Sequence, residues 1–496
     1  MGNTIVGQWQ RFEAALENTK EYANSYTDVT LEASYERPDG SVVRFWGFHD
    51  GVHTWRIRFM PDQIGTWKYT ALFSDGTPGT SGTFACVESD LPGMLSADES
   101  NPLWFGFKGG NHCLIRSLHV GDRFFARNFA DEKRKAFLDW AQEQRYNTLS
   151  IASHYLNRSE PGRGEGWDTP NLWPLDAAEY QRMEAILDDL AARHMMVFPF
   201  AGFLGRASYF PTDYEEQELY IRYTLARLGS YWNILLNVSG PEPLLGKRPM
   251  MSNSEVNRLG RLIRSLDVSC HPLTVHNRTG DDQFKDEAWL SFSTLQGPKT
   301  TDLSELSTKL LANHHPSKPL FAQETLWSGN QHGHPDYNDV ELRKNAFVIV
   351  MSAAALNFAD NGGPRPENIG NSSSGFSGSL ELEDRRQWRH DIVKEVWDLF
   401  EELPFYRMRP RQDLASAGFC IAETGKQYVV YLANGGSVDV DVDDGTHTVS
   451  WINAQDTSDR RTGVPTSDGK GLAAPSDGDD WLLYLVSQEQ YAVRVE

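Results

Sequence analysis

From about residue 100 to residue 402 the chain alternates short apolar runs with longer helical stretches, and this rhythm constrains the fold more than any other feature. The apolar runs are HCLIRSLHV (112–120), NTLSIASHY (147–155), MMVFPFAGF (195–203), NILLNVSG (233–240), PLTVHN (272–277), LSFSTLQG (290–297), PLFAQETLW (319–327) and LNFADNGG (356–363). They are strand candidates 1 to 8. Helical stretches lie between most neighbours: 131–144, 176–194, 214–231, 252–266 and 341–356, with RRQWRHDIVKEVWDLFEEL closing the region. Eight strands alternating with helices predict a (β/α)8 TIM barrel. An open doubly wound sheet would more often carry a Gly-rich phosphate turn after its first strand, and none is present.

Both flanks read differently. Residues 5 to about 90 alternate apolar and polar positions, broken by turn signals at Pro38-Asp39-Gly40 and Asp50-Gly51. After about residue 405, GFCIAETGKQYVVYLANGG, SVDVDVDDGTHTVSWINA and WLLYLVSQ are strand-like and separated by polar, Gly-rich turns. The expected layout is an N-terminal β-sandwich (1–92), a barrel (93–404) and a C-terminal β-sandwich (405–496).

Charge narrows the partners. Lys+Arg minus Asp+Glu is 47 − 68 = −21. So acidic a surface repels phosphate backbones and anionic lipid, which argues against nucleic acid and membrane partners. No run of about 18 apolar residues suggests a membrane span. The four cysteines, Cys86, Cys113, Cys270 and Cys420, are scattered and lack CxxC spacing, as for reduced thiols rather than a disulfide framework or zinc site. The N-terminus shows no basic region followed by an apolar one. The expected compartment is therefore the cytoplasm, unless a secretion leader was removed.

In a barrel, functional side chains come from the C-terminal ends of the strands. Candidate 4 runs NILLNVSGPEPLL, with Glu242 just past it, and candidate 7 runs KPLFAQETLW, with Glu324 at its end. A charge closing a buried strand is costly unless it is solvated, paired or used. Two carboxylates facing one cleft suit glycosidic bond cleavage, one protonating the leaving oxygen while the other attacks the anomeric carbon or activates water. Taken singly, each could equally be an ordinary loop acid or a partner for Arg. Other strand ends supply rings and hydrogen-bonding groups suited to a sugar: His119, His154, Tyr155, Arg206, His276, Asn277, Gln296, Trp327 and Asp360. Trp167 and Trp173 could add a stacking platform or simply pack their loop.

Glu at the ends of strands 4 and 7 resembles the large superfamily of (β/α)8 glycoside hydrolases with retaining Glu pairs. There the strand-4 Glu commonly follows Asn. Here Gly240-Pro241-Glu242-Pro243 keeps the Glu-Pro without the Asn, leaving the residue that positions the sugar 2-hydroxyl unassigned. DVTLEASYERPDGS, GFHDGVHTWRIRFMPDQIGTWKY, YWNILLNVSGPEP and KPLFAQET also make the chain similar to the apiosidase-like subgroup. Its members carry an N-terminal β-sandwich and often a C-terminal domain described as collagen-binding-like. The resemblance implies a retaining glycosidase with Glu242 as acid/base and Glu324 as nucleophile. The long segments after strands 2 and 7 and before the last helix suit a pocket, and hence an exo-acting enzyme on an oligo- or polysaccharide, and the chemistry calls for no cofactor and no metal.

Three tempting motifs fail. GPEPLLGKR has P-loop character but the wrong glycine spacing, with Arg248 where Ser or Thr belongs. DVDVDDG (439–445) lacks the glycine and bidentate Glu of a calcium loop and reads as strand alternation. His332 and His334 have no evident third ligand. Two rivals to the glycosidase stay open: a polysaccharide lyase using His276, Arg278 or Arg206, and a non-catalytic carbohydrate-binding protein.

Overall fold

A computed structural model describes all residues except 1–3, 121–123, 128, 152–171, 200–201, 205–209, 241–243, 245–250, 279, 329–334, 361–381, 383–386 and 489–496. The eight apolar runs each contribute a strand: β1 (Arg116–Val120), β2 (Thr148–Ile151), β3 (Met196–Pro199), β4 (Leu236–Asn237), β5 (Leu273–Thr274), β6 (Ser293–Thr294), β7 (Leu320–Ser328) and β8 (Ala354–Asp360). Six of them form one parallel sheet in the order β3-β2-β1-β8-β7-β6, a half-barrel. The remaining two, β4 and β5, pair in parallel with each other. Single parallel bridges, Val197 with Ile234 and His276 with Thr294, join that pair to β3 and β6. β1 and β2 are buried at every position, as expected of strands covered on both faces.

The covering helices are α1 (Asp131–Glu143), α2 (Ala177–Ala192), α3 (Tyr214–Leu228), α4 (Asn253–Leu266), α5 (Leu303–Ala312), α6 (Asp339–Met351) and α7 (Gln387–Glu402). Their starts follow capping chemistry. Asp176, Asp213 and Asp302 accept backbone N–H bonds at the first turns of α2, α3 and α5, and Ser252–Glu255 and Asn338–Glu341 form reciprocal capping boxes. Two helices differ from the sequence expectation. α5 was not anticipated. The helix expected over 341–356 stops at Met351, because Ala353 turns left-handed (φ 49°) and the chain enters β8.

Ahead of this region, a five-stranded sheet and a three-stranded sheet lie within residues 4–87. Aromatic rings from the two fill the space between them: Phe12 stacks on Phe84 at 4.2 Å and Tyr35 on Phe59 at 4.4 Å. Behind it, a six-stranded antiparallel sheet spans Arg409–Ser487, accompanied by a two-stranded ribbon. The segment DVDVDDG is not the strand its alternation suggested. Val440 makes one isolated bridge, and Asp443 accepts a bond from the Tyr428 hydroxyl at 3.1 Å in a turn ending at Gly445 (φ 122°). All four cysteines are free thiols.

Ion pairs lock the N-terminal sheets to the helical layer. Glu184 on α2 accepts two-pronged bonds from Arg58 of the strand Thr54–Phe59 (2.8 and 3.2 Å) and from Arg227 on α3 (2.7 and 3.0 Å). Arg227, fully buried, also reaches Asp50 at 2.8 Å, and Arg58 reaches Glu13 at 2.6 Å. At the other flank Arg343 on α6 binds both oxygens of Asp480.

Candidate active site

A local irregularity in β7 creates the centre. Against β8, Ala322 pairs with Leu356 and Leu326 with Phe358, so β7 uses four residues where β8 uses two. Consecutive residues of a regular strand point to opposite faces. The two extra residues break that rule, and Gln323 and Glu324 reach the same cluster. Bulges commonly re-aim side chains next to active sites.

Gln323, 1% exposed, is the connector. Its Nε2 donates to Ser150 Oγ on β2 at 2.7 Å and, at 3.4 Å, to His119 Nδ1 on β1. Its Oε1 accepts from His276 Nε2 just past β5. Oriented this way, the amide fixes both tautomers: His276 and His119 each carry the proton on Nε2. Glu324 Oε2 lies 3.9 Å from His276 Nε2. Glu324 is 5% exposed and its backbone N–H donates to Leu295 O beyond β6, which anchors the bulge. Asn357 on β8 ties the arrangement down from the other side, donating to Gln323 O while its own Oδ1 accepts from Ser117 on β1.

Burial sets the charge states. Both imidazoles are pushed down to about 3: His276 by burial with a further push from the Lys299 charge, and His119 by burial with a contribution from His276. They are therefore neutral hydrogen-bonding groups at ordinary pH. Lys299, half-buried on the loop after β6, is lowered by burial, while the Glu324 charge works in the opposite direction.

Of the residues singled out in the sequence, His119, His276, Glu324 and Trp327 come together. Trp327, 2% exposed, lies against the His119 ring with centroids 4.2 Å apart. Asn277 is adjacent but engaged elsewhere, since its amide donates to Asp282 at 2.9 Å and braces the following loop. Gln296 lies half-buried two residues beyond β6. Asp360 closes β8 opposite Ser328 in register. Glu242, His154, Tyr155, Arg206, Trp167, His332 and His334 lie outside the described residues. Trp173 packs on Tyr220. Among the described residues no group of three or more His, Cys, Asp or Glu is placed to hold a metal ion, and no helix is long and apolar enough to cross a membrane.

Gln323, Ser150, Lys299 and Asn237 were missed. Asn237, at the end of β4, accepts from the backbone of His276 (3.1 Å) and Ser239 (3.2 Å) and donates to Pro199 O (3.0 Å). One amide thus aligns the ends of β3, β4 and β5, where the chain runs on toward Glu242. A polar side chain inside an otherwise apolar strand was the available signal for Ser150 and Asn237.

Comparisons with known proteins bear on the family and the fold. Residues 124–357 match the family described as apiosidase-like, catalytic domain, and residues 5–74 match a domain of unknown function, DUF5060. No curated protein matches the sequence. Among solved structures, a protein from Bacteroides vulgatus ATCC 8482 assigned as a glycoside hydrolase covers 98% of this chain and 100% of its own, with TM-score 0.76 and 16% identity. A family 5 glycoside hydrolase from the same organism covers 81% of this chain and 96% of its own (TM-score 0.60, 16% identity). A further glycoside hydrolase covers 81% and 99% (TM-score 0.61, 15% identity). At such identities the likeness is one of fold.

Proposed function

The chain carries an apiosidase-like catalytic domain behind a DUF5060 domain and is a glycoside hydrolase, and from that premise we propose a retaining, exo-acting enzyme with Glu324 as nucleophile and Glu242 as acid/base. The observation that carries this reading is the β7 bulge, which delivers a carboxylate to the C-terminal ends of the strands among neutral imidazoles and a buried indole.

The reaction has two steps. Glu324 attacks the anomeric carbon as Glu242 gives its proton to the departing glycosidic oxygen, and a covalent glycosyl-enzyme forms. Glu242, now a carboxylate, takes a proton from water, which attacks the same carbon and releases Glu324. His276, neutral beside Glu324, does not compete for that proton at working pH. Gln323 holds it there. A (β/α)8 barrel is the architecture that suits this site, and the bridges at Ile234 and Thr294 support closure of the half-barrel through β4 and β5. On the same reading the catalytic barrel takes residues 93–404, flanked by β-sandwiches at 1–92 and 405–496 that orient or stabilise rather than catalyse. The partner is carbohydrate, and the length of the segments after β2 and β7 and before α7 favours cleavage from a chain end.

The testing experiment is Glu324→Gln with a panel of aryl glycosides. Turnover should fall at least about 10³-fold in kcat, equivalent to roughly 4 kcal/mol of lost transition-state stabilisation, with the thermal midpoint near wild type. Near-normal kcat would remove Glu324 from the role. For Glu242→Ala, substrates with poor leaving groups should suffer most, and azide should restore the rate on activated ones as a glycosyl azide, because azide attacks without a base. Equal loss on all leaving groups without rescue would reassign the acid/base.

A further inference from the structure

At the opposite end of the parallel strands, where the N-terminal sheets meet α2, lies a groove of about 250 Å³ that the reaction does not use. Trp9, Arg11, Asp188, His194, Ser230 and Trp232 line it. Its position is set by the residues that enter β3 and β4 rather than leave them: His194 precedes Met196, and Ser230 and Trp232 precede Leu236.

The chemistry of the walls is specific. The indole of Trp9 and the imidazole of His194 provide ring surface, and His194 stands edge-on to the buried Trp232 at 6.0 Å. Arg11 pairs with Asp188 at 3.0 Å and covers the Tyr231 ring at 4.9 Å, while the Tyr231 hydroxyl donates to Asp188 at 2.8 Å. Those contacts hold a half-exposed carboxylate at the groove wall. Trp9 and His194 both have left-handed backbones (φ 67° and 57°). Such conformations favour glycine, so keeping bulky rings at both positions is costly. Ser230, 4% exposed, contributes to the floor of the groove.

We propose that this groove is a second carbohydrate-binding site, taking one neutral sugar ring of a glycan. Rings accept the C–H face of a sugar, and Asp188, Arg11 and His194 bond its hydroxyl groups. The volume suits a single ring, lying below the roughly 300–1,000 Å³ of drug-sized sites. Asp188 and Asp90 outnumber Arg11 in charge, so uronic or sulfated units are disfavoured. The glycan as the ligand's source rests on the glycoside hydrolase reading. The site would hold a polymer to the enzyme at a distance from the bond being cut.

The test uses full-length protein with Glu324→Gln, electrophoresed through gels containing soluble β-glucan, galactomannan, arabinoxylan or polygalacturonate. Retardation by at least one neutral polymer is expected, weakened about tenfold by adding Trp9→Ala or His194→Gly. Glycine relaxes the backbone at position 194, so that variant keeps the test valid if Trp9→Ala fails to fold. Hydrolysis of small aryl glycosides by the single His194→Gly variant should match wild type. Equal retardation of all variants, retardation by polygalacturonate alone, or none at all would overturn the proposal. Failure of the hydrolase reading shows separately, as wild-type protein that cleaves no glycoside whatever the gels show.

Discussion

Glu324 was legible because a carboxylate ending the apolar run KPLFA has to be solvated, paired or used. Gln323 was not. Strand alternation assigns it to the face opposite Glu324, and only the two-residue bulge brings both to one cluster. Its role predicts that Gln323→Ala lowers both activity and stability. The stability loss should be about 2 kcal/mol or more by urea unfolding, because the variant deprives the buried His276 N–H of its acceptor. An unchanged unfolding free energy would show the connector to be dispensable. The two imidazoles carry a pH prediction. In the folded protein they stay neutral down to about 3, whereas in the unfolded chain they take up protons near 6.5. Between those values the unfolded state holds more protons, so stability is full above 6.5 and falls as pH falls through the window. Together the two groups give a slope of up to about 2.7 kcal/mol per pH unit. Urea unfolding at pH 7 and pH 5.5, above the range where carboxylates titrate, should therefore show lower stability at pH 5.5. Equal values would mean that the histidines protonate freely in the folded state.

Among the elements, all eight strands were readable from apolar runs, and the caps at Asp176, Asp213 and Ser252 matched the expected helix starts. α5 escaped because it is only ten residues long and buries just Leu306, Ser307 and Leu310, too short a stripe to stand out in a polar segment. Its cap, Asp302, was visible in the sequence and was the signal to use. Wholly illegible was the pairing across elements. Nothing local in Arg58, Glu184 or Arg227 says that they meet. Their network predicts that Glu184→Gln costs about 3–5 kcal/mol, because two buried guanidinium groups lose their shared carboxylate. A thermal midpoint close to wild type in that variant would show the network to be energetically neutral. Activity should persist at temperatures where the variant stays folded, since the network lies outside the Gln323 cluster.

At the scale of the whole molecule, the order of sheet-rich, α/β and sheet-rich regions followed from changes in sequence texture, because periods of two and 3.6 residues are local properties. The extent of the contact between regions did not. Met408 O accepts from both Asn101 and Trp104, Arg343 clasps Asp480, and Phe347 stacks on Tyr431 at 4.9 Å. Residues 93–404 expressed alone would expose these faces and strand Glu184 and Arg227 at a surface, so that fragment should aggregate or unfold well below the full chain's midpoint. A soluble fragment of wild-type stability would show the flanks to be independent. In the proposed mechanism Glu324 becomes covalently bonded to sugar. The most direct test is mass spectrometry of the protein after exposure to a panel of activated 2-deoxy-2-fluoro glycosides, whose electron-poor sugars slow release of the intermediate more than its formation. One glycosyl unit on the peptide containing Glu324 is the predicted result. Labelling of a different carboxylate, or hydrolysis with inverted anomeric configuration and no label, would contradict it.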